Sequence, residues 1–207
     1  MNLPDTYDGI INQYRKVIPL QYVKTLIYFE SAFKPNSDMG EARVKKGEPY
    51  SQGAAKGLMQ IIGTVRTDYN KRYGTSFTYK DLFTPTVNIA MGCDALNRIS
   101  GAYNSNHPLS LGINWNSDRW VSLLTTGWNA GYSRGGGVQK IVAYLEDKGY
   151  KGSEVTIERV YRYAREAGAA PSFYEEKYRP ELRMAWAKRV ARTFCKETER
   201  LAKTPIG

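Results

Sequence analysis

Apolar residues recur along most of this chain at intervals of three and four, the spacing that gathers them on one face of an α-helix. Ile10, Ile11, Tyr14 and Ile18 predict a first helix over 7–18, stopped by Pro19, and a second runs over 20–33 until Pro35 and Asn36 break it. The polar residues 37–53 read as a loop or a small hairpin, because period-two alternation occurs within 41–50 and nowhere else convincingly. After the short apolar piece 57–62, Thr64 caps a helix to about residue 73, and Pro85 opens one that Gly101 closes. A polar loop over 102–117 precedes a helix capped by Asp118 and ending at 127–132. Helices over 138–148 and 156–167 follow, and then a last one from Pro180 with the stripe Leu182, Trp186, Val190, Phe194 and Leu201. There is no internal repeat. The expected fold class is all-α, mainly helical, with room for one small β-hairpin in 37–53.

One residue disturbs the second helix. Val23, Leu26, Ile27 and Glu30 fall at i, i+3, i+4 and i+7, so a carboxylate shares the face of the core side chains, with Tyr28, Phe29 and Phe33 around it. Lost hydration and the negative end of the helix dipole both favour its protonated form, so Glu30 is expected to hold a proton near neutral pH and to be able to give it away. The other reading is a structural carboxylate paired with Arg or Lys.

The length of 207 residues suits a single domain over 1–207, and 42% hydrophobic residues with 16 Tyr describe a globular rather than a disordered chain. Thirty Lys and Arg against 20 Asp and Glu give +10, which draws polyanions: nucleic acid, a membrane surface or an acidic cell-wall polymer. No run concentrates the charge and no RNA-binding sheet signature occurs, so no nucleic-acid partner is expected. Cys93 and Cys195 read as free thiols. The one histidine, His107, lies before Pro108 in a polar loop, which argues against a His-based zinc site and a Ser-His-Asp triad. No metal and no cofactor are expected, and chemistry falls to carboxylates, tyrosines and amides. The first twenty residues lack a basic stretch followed by an apolar core, so no secretory signal is expected, and no stretch approaches the length of a membrane span.

Four motifs then stand in order: Glu30-Ser31-Ala32-Phe33-Lys34-Pro35, Ala55-Lys56-Gly57-Leu58-Met59-Gln60-Ile61, Asn88-Ile89 with Gly92 and Leu96, and Trp128-Asn129-Ala130-Gly131. Together, over 20–132, they closely resemble the catalytic domain of soluble lytic transglycosylases, a lysozyme-like family related to goose-type lysozymes. The resemblance implies a peptidoglycan-cleaving enzyme in which Glu30 is the sole acid/base. It would protonate the oxygen between N-acetylmuramic acid and N-acetylglucosamine, then take the proton from the muramic acid C6 hydroxyl as that oxygen attacks C1. The product is a 1,6-anhydro sugar, formed without water. Ser31, Ser51, Met59, Gln60, Asn129 and Tyr161 are the implied substrate-binding residues. For Asn129 the alternative is a helix-end cap, for Met59 core packing, and for Tyr161 an ordinary packing role, with Tyr163 as its rival.

This sequence departs from the family pattern in three places. About a dozen extra residues separate Glu30 from the Gly-Leu-Met-Gln motif and bring in Asp38, Glu41 and Glu48. Trp128 replaces the usual Tyr, and Gly63 stands where the family tends to have Pro. A second carboxylate roughly 6.5–9.5 Å from the acid would let water complete the reaction, so a muramidase using Asp38, Glu41 or Glu48 is one alternative. The place of the goose-type lysozyme Asp is Ser51 here, as in the transglycosylases. An alternative of another class is a wall-binding or virion structural protein that cleaves little. The helical, basic part 149–207 lies outside the resemblance, and its arginines, Arg183 among them, read as a solvated face. The expected partner is the peptidoglycan glycan strand, met by a monomeric catalytic domain, alone or as part of a larger virion or secretion assembly. Delivery to the cell wall would then fall to a phage virion, holin-type release or a secretion system.

Overall fold

A computed structural model describes residues 3–203 and divides the chain into two compact units, Met1–Asn97 and Arg98–Gly207. It is helical throughout, with two isolated β-bridges, Asp38 with Lys56 and Lys56 with Ile61, as the strand-like pairings among the described residues. In the first unit, helix α1 (Asp8–Tyr14) packs on α2 (Leu20–Ser31). Val23, Leu26 and Ile27 on α2 are fully buried. Beside them the buried Lys24 reaches back to Asp5 at 2.5 Å and Asp8 at 3.1 Å, so a charge on the packed face has two counter-ions.

The segment 37–53 contains a helix, α3 (Met39–Val44), and not a hairpin. The reason lies in its cap: the Asp38 carboxylate accepts the Gly40 N–H at 2.7 Å and starts a helical turn before any strand can pair. Gly40 is required there, since a Cβ would meet the Tyr50 ring at 2.7 Å and the Ser51 carbonyl at 2.9 Å. Helix α4 (Gly63–Tyr73) and a 3₁₀ turn, Asp81–Phe83, lead into α5 (Pro85–Asn106).

Helix α5 outruns its expected end at Gly101 by more than a turn. Gly101 has open space around it and ordinary helical backbone, while Tyr103 beyond it is buried and donates its hydroxyl to the Leu123 carbonyl at 3.2 Å. Pro108 is what stops the helix, because it cannot donate and it pushes His107 out of the helical region, to φ −137° and ψ 56°. Much of the expected loop 102–117 is thus helical, with α6 at Pro108–Leu111. His107 is likewise not in a polar loop: it is buried, with Nδ1 2.8 Å from Glu146 Oε2.

In the second unit, α7 (Asp118–Ala130) is capped by Ser117, whose hydroxyl accepts from Trp120 N, one residue earlier than expected. Helices α8 (Val138–Asp147) and α9 (Ile157–Tyr163) follow, and the long α10 (Pro180–Ala202) packs chiefly on α7. The buried stripe of α10 is Ala187, Val190, Ala191 and Phe194, at i, i+3, i+4 and i+7. Leu182 falls off that face, and Leu201, on the face but near the helix end beyond Phe194, is exposed as well. Cys93 and Cys195 are free thiols, and burial pushes Cys93 up to about 12. No helix is long and apolar enough to cross a membrane among the described residues.

Candidate active site

Glu30 stands half-buried in the last turn of α2. The helix ends immediately after it, because Ala32 (φ 51°) and Phe33 (φ 62°) are both left-handed, a conformation that non-glycine residues rarely adopt. Ala32 N–H still closes on the Tyr28 carbonyl at 3.0 Å, and Phe33 stacks its ring parallel to that of Tyr7. Two strained residues beside a carboxylate are a pattern found at functional sites, where surrounding structure holds the strain.

What holds this one is Ser31. Its buried hydroxyl lies 2.8 Å from the Leu58 carbonyl and 3.2 Å from that of Ile27, so the residue after the acid fastens α2 to the loop 57–61. The loop is itself over-determined. Asn88 is fully buried and uses every polar atom of its amide: Oδ1 accepts the Met59 N–H at 2.7 Å, and Nδ2 donates to the carbonyls of Lys56 at 2.9 Å and Leu82 at 2.7 Å. Gly57 has φ +73°, and a Cβ there would sit 2.2 Å from the Leu82 carbonyl and 2.3 Å from Asn88 Nδ2. One turn beyond Asn88, Gly92 leaves room for Met59, whose sulfur would be 2.2 Å from an added Cβ. Asn88, Gly92, Gly57 and Met59 are therefore one packing unit shared by two of the four motifs, and Ser31 ties a third to it through the Leu58 carbonyl.

Met59 is fully buried by that contact. Gln60 is left-handed at φ 49° and buried; its Nε2 donates to the Gly57 carbonyl at 2.8 Å, while its Oε1 is buried without a hydrogen-bond partner. Ser51 is half-buried and lines a groove with Met39, Ile62 and Thr67 rather than the loop around Gln60. The carboxylates of 37–53 have other partners. Asp38, with a side chain 6% exposed, meets Lys56 Nζ at 2.7 Å, and Lys56, 1% exposed, also donates to the Tyr50 hydroxyl at 3.0 Å. Burial alone would raise the Asp38 carboxyl, but bonds from Lys56 and Gly40 together with the Lys56 charge hold it below its usual range. Glu48 faces Arg43 at 3.8 Å on the surface, and Glu41 is exposed.

In the second unit, Asn129 lies at the end of α7, and both its backbone carbonyl and its side-chain oxygen accept from Arg183 Nη1, at 2.9 and 2.8 Å. Arg183, on α10, is thus no solvated charge but a clamp on the Asn-Ala-Gly turn. No short motif marks it, because its partner is 54 residues away. Tyr161 packs against Phe173 with ring centroids 5.6 Å apart. Its hydroxyl is buried and has no hydrogen-bond partner of good geometry among the described residues. Burial pushes the phenol up to about 12 against the pull of Arg183. Tyr163, on the other side of α9, has its hydroxyl 3.5 Å from that of Tyr150.

The model of the transglycosylase SLT domain matches residues 10–144, well over half of the chain, including all four motifs. The chain belongs to the transglycosylase SLT domain family. No curated protein matches this SLT domain significantly by sequence. Among solved structures, the 70 kDa soluble lytic transglycosylase of Escherichia coli is similar over 93% of this chain, at 17% identity and a TM-score of 0.54. An inactive mutant of the lytic transglycosylase Slt from Pseudomonas aeruginosa is similar over 95%, at 17% identity and a TM-score of 0.58. A complex of a 70 kDa soluble lytic transglycosylase with bulgecin A gives 95%, 16% and 0.57. These likenesses are likenesses of fold, and this SLT domain spans 25% of the length of each of those proteins.

Proposed function

We propose that the chain is a peptidoglycan lytic transglycosylase, with Glu30 as its sole acid/base. As an acid, Glu30 gives its proton to the glycosidic oxygen while the C1–O bond breaks. As a carboxylate, it takes the proton of the muramic acid C6 hydroxyl while that oxygen bonds to C1, and the group returns to its starting state with no water consumed. Ser31 holds Glu30 in place through Leu58. The residues we expect to bind substrate are Ser51 and Gln60 in the first unit and Asn129 and Tyr161 in the second, while Met59, fully buried, supports the loop 57–61 from beneath.

The observation that carries this reading is the fate of the inserted carboxylates. Hydrolysis with inversion needs a base free to polarise water, and Asp38 already accepts from Lys56, Gly40 and Tyr50. Glu48 lies on the surface against Arg43. A phage virion, holin-type release or a secretion system would carry the protein to the wall, where its charge of +10 favours anionic polymers. Digestion of purified peptidoglycan followed by mass spectrometry tests the proposal. Anhydro-muramic acid termini are expected, formed by the wild type and reduced about 10³-fold in Glu30→Gln. Reducing muramic acid ends would instead identify a muramidase, and equal clearing by both proteins a wall-binding role.

A further inference from the structure

Helix α10 and its C-cap carry seven cations, and these fall into two sets. Arg183 and Lys188 have tasks inside the fold: Arg183 holds Asn129, and Lys188 meets Glu158 at 2.5 Å. The other five, Arg189, Arg192, Lys196, Arg200 and Lys203, are all exposed and follow one another at steps of three, four, four and three residues. At about 100° per residue they share an arc of about 80°, which makes a straight line of positive charge about 21 Å long. That line runs opposite the buried face of Ala187, Val190, Ala191 and Phe194.

Within the helix this arrangement is a cost. Like charges three and four residues apart repel, so each of the four steps destabilises α10 slightly. The negative end of the helix dipole accounts for Arg200 and Lys203 in the last turn, but its reach is too short for Arg189, Arg192 and Lys196. Acids offset little of it: Glu197 is buried beside Arg200 at 3.1 Å, and Glu199 stands at the edge of the arc. A polyanion laid along the helix turns the same repulsion into binding.

The form of the stripe chooses among polyanions. A helix lying on a membrane offers apolar side chains to the acyl region beneath its cations, and the apolar face of α10 is buried against α7. A single nucleic-acid strand is held by rings that stack on its bases, and the aromatic residue within 189–203, Phe194, is buried. A bare line of cations fits a flexible strand with a charge on every short repeat and neither bases nor acyl chains to cover. Three of the five are arginines, whose planar forks take two phosphate oxygens at once, so phosphate is the matching charge.

We infer that the outer face of α10 docks the enzyme on a linear phosphodiester polymer of the cell wall, of the poly(glycerol phosphate) type. The wall as the source of that polymer rests on the lytic reading above. The contact takes no part in the bond-breaking steps; it keeps the enzyme on the surface that it cleaves.

Binding can be read without cleavage. A fluorescently labelled poly(glycerol phosphate) oligomer, long enough to span the stripe, is titrated with the full chain while its anisotropy is followed at low and at physiological salt. Binding is expected, and it weakens steeply with salt as counter-ions are no longer released at a gain. Arg192→Gln combined with Lys196→Gln is expected to weaken it about tenfold at low salt, whereas Lys45→Gln with Lys46→Gln, an equal loss of charge on the inserted segment, changes it less than about twofold. All four side chains are exposed, so the variants fold, and an unchanged circular dichroism spectrum verifies it. No binding, or equal losses in the two double variants, would overturn the site. A single-stranded oligonucleotide, an oligogalacturonate and phosphatidylglycerol vesicles are each expected to compete less well, charge for charge, than the unlabelled polymer, and better competition by any of them would overturn the occupant. The lytic reading is judged separately, by the glycan termini.

Discussion

The loop at 57–61 is fastened by neutral groups bonding to backbone, whereas the segment at 37–53, which precedes it, hangs on one buried ion pair. Around the loop, Asn88, Ser31, Gly57 and Gly92 each fill a place that no other residue type fits: an amide meeting three backbone groups, a hydroxyl reaching one carbonyl, and two positions with no room for a Cβ. Around the inserted segment, Asp38 and Lys56 supply the buried fixing, and most of 41–50 is exposed. A neutral network of this kind is indifferent to pH and salt but intolerant of substitution. An ion pair holds firmly at neutral pH and fails when either partner loses its charge.

The largest effect expected from breaking this contrast is Asn88→Leu. It strands the Met59 N–H and the Lys56 and Leu82 carbonyls in the interior, at a cost of about 4 kcal/mol in denaturant unfolding. A loss independent of pH between 3 and 8 is expected. Next is Asp38→Asn, which leaves Lys56 buried without its counter-ion and costs about 3 kcal/mol near neutral pH. Its pH dependence has a definite sign. Because the folded Asp38 carboxyl is held below its unfolded value, the stabilisation is whole above about pH 4 and fades as the carboxylate protonates below that. The gap between wild type and Asp38→Asn should therefore close in acid, and a gap that stayed constant down to pH 2 would mean the pair does not carry the segment. Smallest is the double change Glu41→Gln with Glu48→Gln. Exposed carboxylates of this kind contribute within about 0.5 kcal/mol to stability, and turnover is expected to stay within about twofold of wild type. A drop of 10² or more would place a water-activating base in the insertion.

The same contrast explains what could be read from the residues alone. The motifs at 57–61 and 88–92 were legible because their spacing is the packing: Asn88 and Gly92 are one helical turn apart and receive a single loop between them. Most helix starts were legible too, because Pro85, Thr156 and Pro180 stand at the caps and first turns that favour them. The inserted segment was not, since a local capping bond from Asp38 decides helix over hairpin and alternation carries no trace of it. The residues predict too early an end for α5 because Gly101 resembles a stop, whereas burial of Tyr103 outweighs the modest cost of a mid-helix glycine. Arg183 was hidden for another reason: a long-range clamp leaves no local pattern, so only the fold assigns it to Asn129.

The central claim is that Glu30 works without a second carboxylate, and the glycan termini it leaves report on that most directly. Mass spectrometry of peptidoglycan digested in water enriched in oxygen-18 is expected to give anhydro-muramic acid ends with no label. Labelled, reducing muramic acid ends would contradict the account and show that water, activated by a group other than those described, completes the reaction.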